Sequence, residues 1–205
     1  MNKTSGAIYS GLEWITRFAY VNLLWILFSL MGGIVLGFFP ATTAMFTIVR
    51  QWIKGNSDIP VMKSFWEFYK ADFWKSNRLG LFVAGIVAII GIDIFYIQLN
   101  NVLDWRNIPL YAFMLIFILF AFYVFPAFVH YDLKVLSVIK NAFLIMLISP
   151  LHSLLMIISL VSIYFIVQAL PALAFIFGGS IYAFLTMGLS YNAFLKIEKR
   201  DSNNN

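Results

Sequence analysis

The chain has 205 residues, 62% of them apolar and 11% charged, with a net charge of +5 and no cysteine. Soluble domains hold about 45–50% apolar and about 25% charged residues, so this chain lacks the polar surface of a water-soluble globule. Disulfides, thiolate metal sites and cysteine nucleophiles are excluded with the cysteines, and the basic surplus fits the flanks of membrane spans better than nucleic-acid binding.

The predicted fold is an all-α polytopic transmembrane bundle of about five spans. The first apolar run, about 18–39, follows Glu13 and Arg17. Its 22 residues reach about 33 Å, enough to cross hydrocarbon roughly 30 Å thick. It is too long for a cleaved secretory signal, and Ala41 to Ala44 lacks the A-x-A spacing, so a retained span is expected. Pro40 to Lys54 reads as a second, interfacial helix with proline in its first turn; entering the bilayer as a short or re-entrant sixth helix is the alternative. Further spans are expected at about 79–99, 110–129, 151–170 and 172–195. Pro171 breaks the last two into a tight antiparallel hairpin. Residues 1–200 form one transmembrane domain, and the polar tail 201–205 reads as disordered.

Eleven of the 14 basic residues fall between spans one and two, between spans three and four, and after span five. The other three are Lys3, Arg17 and Arg106. With five crossings this split puts the basic loops and the carboxy terminus in the cytoplasm and the amino terminus outside; a sixth short helix would bring the amino terminus inside.

Val61 to Ser76 has the most character. Met62, Phe65, Trp66, Tyr69 and Phe73 share one helical face and Lys63, Glu67 and Lys70 another. Pro60 suits a first turn, and Asp58 is placed to help satisfy the open amides. Such a helix belongs in the membrane interface, either orienting the next span or docking a partner through Phe65, Trp66, Phe68, Tyr69 and Phe73. An echo links Phe39-Pro40-Ala41 with Phe125-Pro126-Ala127, each followed by a basic amphipathic stretch and then a span.

Asp93 is the candidate intramembrane polar group, either a proton or cation site or a partner for Arg106. His130, Asp132 and His152 are too few and too scattered to suggest a metal. Asn22, Ser29, Ser159, Ser162, Gln168, Thr186, Ser190 and Asn192 are accounted for by bonds between helices, and Gly33 and Gly37 form a G-x-x-x-G packing site. No catalytic or cofactor-binding motif is found, so the expectation is a protein without enzymatic activity or cofactor.

Several runs carry a resemblance: 38–44 (Phe-Phe-Pro-Ala-Thr-Thr-Ala), Val49-Arg50-Gln51-Trp52, Lys54-Gly55, Ser64-Phe65-Trp66-Glu67-Phe68 and Asp72-Phe73-Trp74. Later come Tyr123-Val124-Phe125-Pro126, Ile139-Lys140-Asn141-Ala142 and Ser149-Pro150. Together they resemble the YesL family of bacterial integral membrane proteins of unknown function, over nearly the whole chain. The family pattern often has Gly where Phe39 stands and Asn where Asp72 stands. The resemblance implies a Gram-positive cell membrane and a place beside carbohydrate-uptake and polysaccharide-degradation genes. The expected role is an accessory, assembly or regulatory component of a carbohydrate ABC transporter or membrane sensor. Its other partner is the lipid bilayer, and nucleic acid is not expected. The alternative is a small transporter or channel.

Overall fold

The computed structural model describes residues 3–100 and 105–204. These form eight α-helices: α1 (Lys3–Met31), α2 (Val35–Ile53), α3 (Val61–Ala71), α4 (Phe73–Asn100), α5 (Ile108–His130), α6 (Val135–Ile148), α7 (Pro150–Ala169) and α8 (Pro171–Asn204), with a 3-10 turn at Trp105–Asn107. Five stretches are long and apolar enough to cross a membrane: Tyr9–Met31, Phe73–Gln98, Ile108–His130, Pro150–Ala169 and Pro171–Lys199. Side chains such as Leu81, Ile92 and Phe95 of α4 and Phe165 of α7 stand more than half exposed. So much outward apolar surface suits hydrocarbon and not water. The all-α multi-pass architecture is as the composition predicts.

The first span is not where the apolar run places it. That run is cut at Gly33 (φ +72°) and Ile34 (φ +63°), and the chain doubles back. Left-handed backbone suits glycine; for a β-branched isoleucine it is a strained position, of order 1–3 kcal/mol, held by its surroundings. The turn is closed by the Gly33 amide on the Leu30 carbonyl and the Ile34 amide on the Ser29 carbonyl, both at 2.9 Å. The backbones of Gly32 and Gly37 touch, and a Cβ on either would overlap the other. The G-x-x-x-G therefore straddles a turn and is not a motif on one helix.

α2 runs antiparallel to α1, with Trp14 against Trp52 (5.7 Å between ring centroids) at one end and Trp25 Nε1 donating to Thr42 Oγ1 (3.0 Å) nearer the turn. It is not an interfacial helix. Eleven of its 19 residues are buried, and α1, α3, α4, α5 and α8 all pack on it. Gly37, Ala41, Thr42, Thr43 and Ala44 are small enough to let those neighbours approach closely. Pro40 lies inside α2 instead of at its first turn. Arg17 sits 3.6 Å from Asp58, so the amino-terminal end of α1 shares one end of the fold with the basic loop after α2. The expected placement of the two on opposite sides is corrected by this hairpin.

Pro40 has no N–H, so the Leu36 carbonyl one turn earlier loses its intrahelical donor. Asn77 of α4 supplies one, Nδ2 to Leu36 O at 3.0 Å, while also bonding Phe73 O at 2.9 Å. Beside it the buried hydroxyls of Thr43 and Ser76 pair at 2.8 Å. Gly80 lies against the Phe39 ring where a Cβ would overlap it. The first turns of α4 are thus fastened to α2 around the proline.

The proline echo marks a repeated plan. α2 and α5 each contain an internal proline, Pro40 and Pro126. Each is followed by a shorter helix packed back on it, α3 or α6. A single residue, Asp72 or Ser149, then joins a long helix whose fourth residue is serine. Ser76 bonds α2, and Ser153 pairs with the Tyr123 hydroxyl of α5 at 3.0 Å. The expected helix 61–76 is therefore two helices broken at Asp72, whose backbone leaves the helical region (φ −102°, ψ 9°). Pro171 opens α8 as expected, behind a Leu170 whose backbone has left the helical region (φ −136°, ψ 77°). α8 continues to Asn204, so the tail expected as disordered is helical up to that residue, and Asn205 lies outside the described residues. Two apolar cores, one around α2 and one around α5 and α6, meet at Val129.

Two outcomes are expected. Asn77→Leu strands the Leu36 carbonyl and destabilises the protein by about 1–3 kcal/mol, seen as a lower melting temperature in detergent. The loss shrinks in a Pro40→Ala background, where residue 40 regains its amide; equal losses in both backgrounds refute the coupling. Single cysteines at Ser10 and Asn56 of the cysteine-free chain react with an impermeant thiol reagent from the same side of sealed vesicles. Labelling from opposite sides refutes the hairpin.

Candidate functional site

α3 carries the aromatic face. It starts after Pro60 with no side-chain cap; Asp58, expected to help there, instead meets Arg17 and Ser57. Its inner residues are used within the fold. Phe65 is fully buried and Tyr69 nearly so, with ring centroids 5.1 and 5.2 Å from Phe28 of α1. Burial pushes the Tyr69 hydroxyl's pKa up. Phe68 is half-buried, and Phe73, half-buried on α4, meets the Tyr69 ring edge-on.

Trp66 remains at the rim, 39% exposed. It stacks on Tyr69 at 6.0 Å, with the Lys70 ammonium 4.7 Å from its ring centre. Met62 stands exposed one turn before it and Trp74 just beyond the Asp72 joint. The five aromatic candidates are thus divided: Phe65 and Tyr69 anchor α3, Phe68 and Phe73 flank it, and Trp66 is presented outward. The outward surface is a Met–Trp–Lys ridge that can bind apolar or π-rich groups beside a cation.

The charged groups near α3 tie helix ends together. Lys75 pairs with Asp132 at 2.9 Å and lies over the Phe128 ring. Burial raises the pKa of the Asp72 carboxyl; Lys75 opposes that rise and Asp132 adds to it. His130 Nε2 lies 3.1 Å from Glu198, and its ring is packed by Tyr131, Tyr191 and Phe194, joining the ends of α5 and α8. Among the described residues no group of three or more metal-ligating side chains is assembled. Asp93 is half-buried on α4 and has no hydrogen-bond or ion-pair partner among the described residues. The side chain of Arg106, its expected partner, lies outside them.

Asn22 clamps α1 to α8, donating to Phe175 O at 2.8 Å and accepting from the Ser180 amide at 3.2 Å. Ser159 and Ser162 bond back to their own helix. Asn77 and Ser76 were missed by sequence reasoning. The available signal was a proline inside an apolar helix, which announces a free carbonyl but does not name its donor.

The family model described as "Protein of unknown function, DUF624" matches residues 18–94, from within α1 through most of α4. Three uncharacterized proteins of Bacillus subtilis (strain 168) are similar over nearly the full length. YteU is 38% identical over 188 residues, 91% of this chain and 85% of its own. YesL is 36% identical over 190 residues, covering 91% and 89%. YesV is 30% identical over 196 residues, covering 94% and 93%. No solved structure matches. The chain is a multi-pass membrane protein of the DUF624 family, a homologue of YteU, YesL and YesV whose function is unknown.

Proposed function

We propose that the chain is a non-enzymatic accessory subunit that assembles with, stabilises or regulates a carbohydrate-uptake complex, an ATP-driven sugar transporter or a membrane sensor. Its basic loops and carboxy terminus face the cytoplasm. The observation that carries this reading is the Met62–Trp66–Lys70 ridge. It is held rigid from behind by Phe65 and Tyr69 on Phe28, while its own surface is turned outward. A tryptophan with a stacked cation on a braced helix is the type of anchor that dominates protein interfaces. The charge split along the chain supports the orientation, and the family resemblance supports the carbohydrate context.

A second reading, a small transporter, is favoured by one observation: Asp93, a carboxylate within a candidate span and without a partner among the described residues. Such groups mark ion or substrate routes.

Affinity purification in mild detergent separates the two. The accessory reading expects a transporter subunit or sensor kinase to co-purify with the wild-type chain and to fall at least tenfold with Trp66→Ala, the scale of an interface hot spot. Recovery of no such subunit sinks it. The transporter reading expects solute movement in liposomes containing the purified chain alone, abolished by Asp93→Asn. Flux that Asp93→Asn leaves intact removes Asp93 from the route.

A further inference from the structure

We propose that the groove between α4, α5 and α6 holds an acyl chain of an anionic phospholipid, whose phosphate pairs with the Lys140 ammonium. The groove encloses about 300 Å³ and is walled by Phe82 of α4, Phe113, Phe117 and Phe120 of α5, and Phe143 of α6. Among the described residues Lys140 is the one charged side chain lining it.

α6 is otherwise an apolar helix without charge, VLSVIKNAFLIMLI. Val138, Ala142, Ile145 and Met146 are buried, which puts Lys140 on a different side. Its side chain is exposed at the groove, and no carboxylate pairs with it among the described residues. A lysine so placed runs its methylenes along apolar surface and carries its ammonium toward the interface. There a cation in a pocket between spans attracts anionic headgroups.

The groove's chemistry selects the occupant. With no polar group other than the amine, it offers nothing to a sugar, a nucleotide or the backbone of an irregular peptide, whose polar atoms would be left without partners. A membrane helix, about 10 Å across with its side chains, does not enter a space of about 300 Å³. An acyl chain does, entering sideways from the bilayer. The repeated plan shows the same need met otherwise. In the first unit α1 covers the short helix, with Phe28 against Phe65 and Tyr69. In the second unit Phe143, Leu144 and Leu147 of α6 remain exposed.

The test is native mass spectrometry of the full chain released from vesicles containing equal phosphatidylglycerol and phosphatidylcholine with identical acyl chains. The wild type is expected to retain phosphatidylglycerol about fivefold over phosphatidylcholine, the scale of one lysine near a charged surface. Lys140→Gln brings that ratio to about one, and Lys140→Arg restores it. Phe117→Trp, which fills the groove, lowers retention of both lipids. The proposal is overturned by equal retention in the wild type, by a preference that survives Lys140→Gln, or by free oleate displacing phosphatidylglycerol at equal mole fraction. Lys140 is exposed and makes no ion pair among the described residues, so its variants fold as the wild type does, and the assay needs no partner protein.

Discussion

A proline in the central helix leaves one carbonyl without a donor, and much of the packing is arranged around that vacancy. In hydrocarbon an unsatisfied backbone group costs several kcal/mol, and lipid tails are as apolar as leucine, so apolar burial alone does not tell one helix contact from another. Directional bonds do. Asn77 reaches the Leu36 carbonyl and brings α4 to α2 in one register. The Thr43–Ser76 and Trp25–Thr42 bonds then add α4 and α1 to the same stretch of helix. Asn22 ties α1 in turn to the backbone of α8. Asn22, Thr42, Thr43, Ser76 and Asn77 are joints of this kind, and most of them converge on α2, the most enclosed helix.

The two proline-containing units are alike in plan and differ in use. In the first, the short helix is aromatic and charged, and α1 braces it from behind. In the second, α6 is apolar and packs on α5 through Val138 and Ala142. The first unit turns a tryptophan and a lysine outward, and the second carries an apolar groove. One supersecondary plan thus supplies two different outward surfaces, an aromatic and basic ridge and an apolar groove.

Spans at α4, α5, α7 and α8 are legible because length and hydropathy decide them and their neighbours do not. The first span is not, because the run 18–39 has the length and apolarity of a crossing. What cuts it is contact between the backbones of Gly32 and Gly37, which exists only once the hairpin has formed. Residues 40–54 look interfacial because Pro40 reads as a first-turn residue and the stretch that follows, about 21 Å at helical rise, is too short to cross, yet Thr42 and Thr43 engage in bonds inside the bundle. The face of α3 is visible in its spacing; its partner Phe28 is not. Asn77 stands 41 residues from the carbonyl it serves, a separation across which no local pattern carries information. Lys140 counts in sequence only as a loop charge, since the phenylalanines around it come from three helices.

The single-residue joint at Asp72 has a mechanical consequence. Trp66 lies six residues before it, about 9 Å along the helix at 1.5 Å per residue, and Asn77 lies five residues beyond it. The outward ridge and the grip on the carbonyl at the proline therefore lie on either side of one joint, a single residue long. Displacement of α3 bears on Phe28 of α1 and on α2, against which it packs directly, and through the joint on the turns of α4 that carry Asn77.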